Sequence, residues 1–247
     1  MKLEVCCGSY LDAYNAYLGN ADRVELCSSL YLGGLTPSLG SYLLTRENTN
    51  LEIVCILRPR PGGFCYEKED IDTIFRDAKI FLDNGVDGLV FGFLTKDHKL
   101  DIPLMKDMIN LIKSYNKKAI LHRAFDCLKD PMIGINEAID LGIDRILTSG
   151  QQDNALLGID LISKLEKEYG NKIEILAGCG INTNNVLEII SKSNIKQIHS
   201  SCKGYNYDNT NISKTVSYAY LKDNKAYETV DTNTVKTMIK LIKEKTI

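Results

Sequence analysis

Eight short runs rich in β-branched residues recur along the 247-residue chain, beginning near Leu3, Arg23, Glu52, Gly88, Lys118, Arg145, Glu174 and Gln197. Helical segments of roughly ten or more residues separate most of them. Strands that alternate with helices predict parallel βα units. Eight such units in a chain of this length predict an α/β fold closed as a (β/α)8 TIM barrel rather than an open sheet. No linker or low-complexity tract interrupts the pattern, so residues 1–247 read as a single domain.

Local signals mark the helix ends. Ser9 with Asp12 reads as a capping box, and Gly19 as the stop that follows. Thr36-Pro37 reads as an N-cap followed by proline at the first helical position. Asp130-Pro131 repeats that signal, and Gly142 ends the helix it opens. Between Asp70 and Asp83, the residues Ile71, Ile74, Phe75, Ala78, Phe81 and Leu82 make one apolar stripe at helical spacing, and Gly85 stops it. A final helix is expected over Thr234 to Glu244. The segment from Lys203 to Thr229 breaks the repeat, being polar and Tyr-rich. Within it, Thr215 to Tyr220 and Lys225 to Thr229 flank Asp223-Asn224 and read as a hairpin. Residues 203–230 therefore form a hairpin or loop insertion that leaves strand 8 near the barrel mouth, or else an oligomer contact such as a dimer interface.

The net charge is −2, with Lys and Arg scattered. No basic block points to nucleic acid or an anionic membrane surface. No apolar run approaches the roughly 18 residues of a membrane span, and no signal-peptide pattern opens the chain. These features predict a cytoplasmic protein. The eight cysteines show no C-x-x-C spacing, so zinc ribbons and thioredoxin-type motifs are not expected, and free thiols are.

Strand side chains alternate faces, and the more uniformly apolar face should meet the helices. Leu3 and Val5 then face outward and Glu4 and Cys6 inward. Val24 and Leu26 face outward and Arg23, Glu25 and Cys27 inward. If the register aligns them, Cys6 and Cys27 lie close enough to share a soft metal. On strand 3, Val54 and Ile56 share a face with Arg58 and Arg60, which places both arginines inward or at the rim. Strand 5, taken as Ile120 to Asp126, aims His122 and Asp126 into the mouth. Strand 6 ends at Thr148-Ser149-Gly150, and strand 8 carries His199 and Ser201 on one face. Unpaired buried charge is costly, so these groups either pair as a structural network or form a site at the C-terminal face. The loop Gly178-Cys179-Gly180 after strand 7, before a helix near Asn184, and Ser201 after strand 8 occupy the positions where this fold often binds phosphate.

Several segments resemble one known family. They are Glu4-Val5-Cys6, Ala21-Asp22-Arg23-Val24-Glu25-Leu26-Cys27, Gly33-Gly34-Leu35-Thr36-Pro37-Ser38, Arg58-Pro59-Arg60 with Gly63-Phe64-Cys65-Tyr66, Asp87-Gly88-Leu89-Val90-Phe91-Gly92, His122-Arg123-Ala124-Phe125-Asp126, Leu147-Thr148-Ser149-Gly150 and Ile198-His199-Ser200-Ser201. In that order they resemble the CutC family over some four-fifths of the chain. The chain departs at Cys7-Gly8, at Pro61-Gly62 and at Cys179, where a third glycine is usual. The resemblance implies a TIM barrel, a cytoplasmic location, a role in copper homeostasis, and a Cu(I) site at Cys6 and Cys27. Two inward thiols suit that soft ion.

Two expectations follow, and whether the protein is an enzyme stays open between them. The first is a copper-binding protein using Cys6 and Cys27, with His122 or His199 as further ligands. The second is an enzyme acting on a small anionic or phosphorylated substrate. There Arg58, Arg60, Ser149, Gly178, Gly180 and Ser201 bind the anion, and Glu25, His122, Asp126 and His199 are the catalytic candidates, with Asp126 orienting a histidine.

Overall fold

The computed structural model describes residues 1–244. Eight parallel strands close into a barrel in sequence order. They are β1 (Lys2–Cys7), β2 (Arg23–Leu26), β3 (Glu52–Ile56), β4 (Gly88–Phe91), β5 (Lys118–Leu121), β6 (Arg145–Thr148), β7 (Glu174–Ala177) and β8 (Gln197–Ser200). β8 pairs back onto β1 through Leu3 opposite Ile198, which leaves no free edge. The helices that cover it are α1 (Tyr10–Leu18), α2 (Leu39–Asn48), α3 (Lys68–Asp83), α4 (Ile102–Ser114), α5 (Pro131–Leu141), α6 (Ile159–Tyr169), α7 (Val186–Ser193) and α8 (Thr232–Glu244).

The expected face assignment holds in β1 and β2. Leu3, Val5, Val24 and Leu26 are fully buried in the core between strands and helices. Cys27 belongs instead to a separate inner cluster with Val54, Ile56, Val90 and Ile120. α3 buries Ile74, Ala78, Phe81 and Leu82 of its stripe, while Ile71 and Phe75 stay part-buried. Each large apolar side chain so buried contributes about 1.5–3 kcal/mol.

Several ends differ from expectation. Asp130 caps α5 through the Met132 and Ile133 amides, and Gly142 closes it at φ +90°, as expected. α2, however, starts at Leu39, with Ser38 accepting from the Ser41 amide. Thr36 cannot cap it, because its amide donates to Arg58 O and its hydroxyl accepts from the Arg58 amide. Gly19 follows α1 at φ −83°, and Asn20 takes the left-handed position. Ser9 accepts from the Asp12 amide, but the Asp12 carboxylate does not close the box. It accepts from the Gly8 amide, the Thr229 hydroxyl and the Val230 amide.

Those last bonds tie down the insertion. Its hairpin pairs β9 (Lys203–Tyr207) with β10 (Ala226–Val230), antiparallel. The expected first arm, Thr215 to Tyr220, is not a strand. The arm that leaves β8 directly has the alternating exposure of a two-sided ribbon and takes the pairing instead. Tyr220 folds back to stack on Tyr31, with centroids 5.1 Å apart. Among the described residues, no helix is long and apolar enough to cross a membrane.

Candidate functional site: a thiol–carboxylate cluster below an open mouth

The inward polar residues lie at two levels. At the lower level, Arg23 donates from Nε to Glu4 and from Nη2 to Gln197 Oε1 at 2.9 Å. Arg145 donates to Glu174 Oε2 at 2.7 Å, and its guanidinium also approaches Glu4. Arg23 and Arg145 are 0% and 2% exposed. Burial opposes ionisation of Glu4, but Arg23, His199 and Arg145 together hold its carboxyl below the usual range. Sequence reasoning did not use Arg145. It shares strand parity with Leu147, and that was the available signal.

The upper level holds the sulfur atoms. β1 and β2 pair with Cys6 opposite Glu25, so Cys27 stands two residues further on rather than aligned with Cys6. Side chains lean along the strands, and the Cys6 and Cys27 Sγ atoms still lie 3.9 Å apart. Glu25 Oε2 is 3.5 Å from Cys6 Sγ and 3.4 Å from Cys27 Sγ. His199 stands beside them, its Nδ1 2.7 Å from Glu4 Oε1 and its Nε2 3.8 Å from Glu25 Oε2.

These contacts set the protonation pattern. The Cys27 thiol hydrogen-bonds to Cys6, and that bond, helped by His199 and Glu25 against the burial penalty, lowers the Cys6 pKa to about 5. The same bond and burial push the Cys27 thiol well above its ordinary value. Burial and the Cys6 charge raise Glu25 to about 8. Burial disfavours the charged form of His199, but hydrogen bonds with Cys6 and Glu4 outweigh it and raise its pKa. At neutral pH the cluster is thus a Cys6 thiolate beside an imidazolium, with the Cys27 thiol and the Glu25 carboxyl holding protons.

The donor set fits a soft cation. Among the described residues, Cys6, Glu25 and Cys27 form one group with metal-ligand spacing. A point equidistant from the two sulfurs and the Glu25 oxygen lies about 2.1 Å from each, close to ordinary metal–thiolate and metal–carboxylate lengths. A disulfide fits poorly. An offset of two residues on adjacent strands separates the Cα atoms by about 8 Å, beyond the reach of an unstrained bridge.

A cavity of about 1370 Å³ opens above the cluster and contains the mouth of the barrel. Cys6, Glu25, Cys27, Arg58, His122, Gly180, His199 and Ser201 line it, with Tyr220 and Tyr227 to Val230 of the insertion. Four expected site residues do not. Arg60 leaves the mouth because the chain turns at Pro59 to Gly63, and its Nε pairs with Asp70 at 2.7 Å. Asp126 is not on a strand, since β5 ends at Leu121 and Arg123–Cys127 form a 3-10 turn. Its carboxylate braces Thr148, Ser149, Gln151 and Arg123, and it touches no histidine. Ser149 is fully buried in that brace. Gly178 lies where a Cβ would stand 2.6 Å from Leu147, so its role is close packing. Cys179 is held at φ +76° while its thiol bonds to Asp153 O at 3.0 Å.

Fold and site together define a parallel (β/α)8 barrel with a buried thiol–carboxylate cluster at the floor of its mouth. The model of the CutC family matches residues 1–204, and the chain belongs to that family. A family protein CutC from Treponema denticola is 46% identical over 199 residues, covering 81% of this chain and 80% of the relative. One from Parabacteroides distasonis is 39% identical over 206 residues, covering 83% and 84%. The crystal structure of CutC from Streptococcus agalactiae, a candidate copper homeostasis protein, superposes with a TM-score of 0.76 at 26% identity over 81% of this chain and 98% of that one. KGPDC from Streptococcus mutans shares the fold alone, with a TM-score of 0.58 at 14% identity over 98% and 97% of the two chains.

Proposed function

We propose that this CutC-family protein binds Cu(I) through Cys6 and Cys27, with the Glu25 carboxylate as third donor, and serves copper homeostasis. The observation that carries this reading is the triangle of two sulfurs and one oxygen, already spaced for a single ion. Thiolates select Cu(I) over harder cations, and Cys6 supplies one at neutral pH. Bound Cu(I) would bring a soft, redox-active centre. The chain's own residues would hold it, and Cys27 and Glu25 would lose their protons to solvent through the mouth as it binds. Cys27 is 1% exposed, so an incoming protein could not reach the second sulfur, which favours retention of the ion over direct handover. All eight cysteines are free, which supports a reducing compartment such as the cytoplasm.

Competition between the protein and a Cu(I) chelator tests the proposal. One ion per chain is expected, with affinity falling by about a hundredfold or more when Cys6→Ser and Cys27→Ser are combined. An unchanged affinity in that double variant contradicts it.

A second reading rests on the order Glu4–His199–Cys6. A carboxylate that orients an imidazole beside a thiolate is the arrangement of nucleophilic cysteine enzymes. The substrate would be a small anionic or phosphorylated molecule entering the mouth, with Glu25 as proton donor. Cys27→Ser separates the readings, because it removes a soft ligand while leaving the Glu4–His199–Cys6 set in place.

A further inference from the structure

Opposite the sulfur cluster, a second part of the mouth is unbalanced in charge and in hydrogen bonds. Arg58 is 6% exposed, and no carboxylate lies within ion-pairing distance of it among the described residues. Its Nη1 donates to Leu32 O and Gly34 O, each at 2.9 Å, and its Nη2 to Gly62 O at 2.7 Å. Three neutral carbonyls hold the fork in place and leave the charge uncompensated. A buried charge without a counter-ion is costly, so its retention here calls for an anion from outside the chain.

The hydrogen-bond pattern points the same way. Five buried side-chain polar atoms find no partner among the described residues. Arg23 Nη1 and Arg145 Nη1 belong to the lower ionic network. The other three are Arg58 Nε, Tyr66 Oη and His122 Nε2. Arg58 and His122 line the mouth beneath Phe64 of the loop after β3, while Tyr66 of the same loop packs on Phe93 outside the cavity lining. The Phe64 ring lies 4.6 Å from the His122 ring and 5.5 Å from the Arg58 guanidinium. His122 Nδ1 accepts the Ala124 amide at 3.1 Å, so the neutral ring carries its proton on Nε2 and offers a donor there. Burial and the Arg58 charge keep that ring neutral, with its pKa lowered to about 3. His122 is 3% exposed, and both His122 and Arg58 line the cavity.

We infer that this wall is a binding site for a small organic anion, held by its carboxylate between the Arg58 guanidinium and the His122 Nε2–H against the Phe64 ring. Arg58 spends three of its five N–H groups on carbonyls, so its Nε–H and one Nη2–H remain and His122 adds Nε2–H, a set that the two oxygens of a planar carboxylate can accept. This site shares the mouth with the thiol cluster but none of its residues, so it stands whether or not Cu(I) binds.

The test is a titration of the metal-free full-length protein with sodium acetate and sodium pyruvate, following the imidazole nitrogens by long-range proton–nitrogen NMR. The chain has three histidines, so the signals are separable. The His122 Nε2 signal is expected to move saturably while His98 stays still. Sodium chloride at equal ionic strength is expected to move neither. His122→Phe keeps the ring contact with Phe64 and removes the donor, and it should weaken carboxylate binding, read by calorimetry, at least about tenfold. Arg58→Gln keeps an amide toward the loop carbonyls and should abolish binding, with folding checked by circular dichroism. Silence of the wild-type His122 signal toward both carboxylates overturns the assignment. So does a response to inorganic phosphate alone, or equal affinity in folded His122→Phe protein.

Discussion

The barrel interior contains two polar levels that share β1 and β2. In the lower one, Arg23, Glu4, Arg145 and Glu174 pair with one another at salt-bridge distance, with Arg23 Nη1 and Arg145 Nη1 left without a hydrogen-bond partner. In the upper one, a thiolate stands beside a thiol and a carboxyl, and Arg58 and His122 keep donors free. Residue type does not separate the levels, since glutamate and arginine occur in both. Height along the barrel does. Glu4, Arg23 and Arg145, near the strand N-termini, are buried and must be neutralised within the chain. Side chains at the C-terminal ends face a cavity, where a ligand can complete the balance.

The largest expected effect breaks the lower level. Arg23→Met strands Glu4 without its main partner and should cost about 3–5 kcal/mol in urea unfolding. Cys27→Ser, which unpairs no charge, should cost far less in the same assay. If both variants lose equally, the division into a structural and a ligand-binding level fails.

A pH experiment sharpens the upper level. Cys6 has a folded pKa of about 5, below its ordinary thiol value, so its contribution to stability grows as pH rises above 5. Glu25 has a folded pKa of about 8, above its ordinary carboxyl value. Its contribution is present at low pH and is lost as pH rises toward 8. The two slopes oppose one another between pH 5 and 6.5, so wild-type stability should be nearly flat there, and above 6.5 the raised pKa of His199 adds a falling slope. Glu25→Gln removes one falling slope, so stability should then rise with pH between 5 and 6.5 and level off above it. A flat profile in the variant between pH 5 and 6.5 would mean that Cys6 does not ionise early.

The smallest effect is at Arg60. Its pair with Asp70 is at 36% and 21% side-chain exposure. Arg60→Ala should change stability by about 1 kcal/mol or less and leave both copper and carboxylate binding intact. Weakened binding of either ligand would return Arg60 to the mouth.

The barrel was legible because periodicity and strand–helix alternation are local properties, and the eight strand starts follow from them. The inward set on β1 and β2 followed from parity. Parity failed where strands ended early. Arg60 and Asp126 would face the mouth only if β3 and β5 continued, but a turn and a 3-10 segment intervene. The short range of Asp126 then directs it to β6 rather than to a histidine. The spacing of Cys6 and Cys27 depended on register, which no single strand encodes. The free donors on Arg58 and His122 were beyond sequence reasoning, because they follow from where three carbonyls and one amide fall.

The central claim is that one soft ion sits among Cys6, Cys27 and Glu25. X-ray absorption at the copper edge, on protein loaded with one equivalent of Cu(I), reads that environment directly. Two sulfur neighbours and one light-atom neighbour are predicted, with one sulfur lost in Cys27→Ser. A first shell without sulfur, or one unchanged by Cys27→Ser, would contradict it.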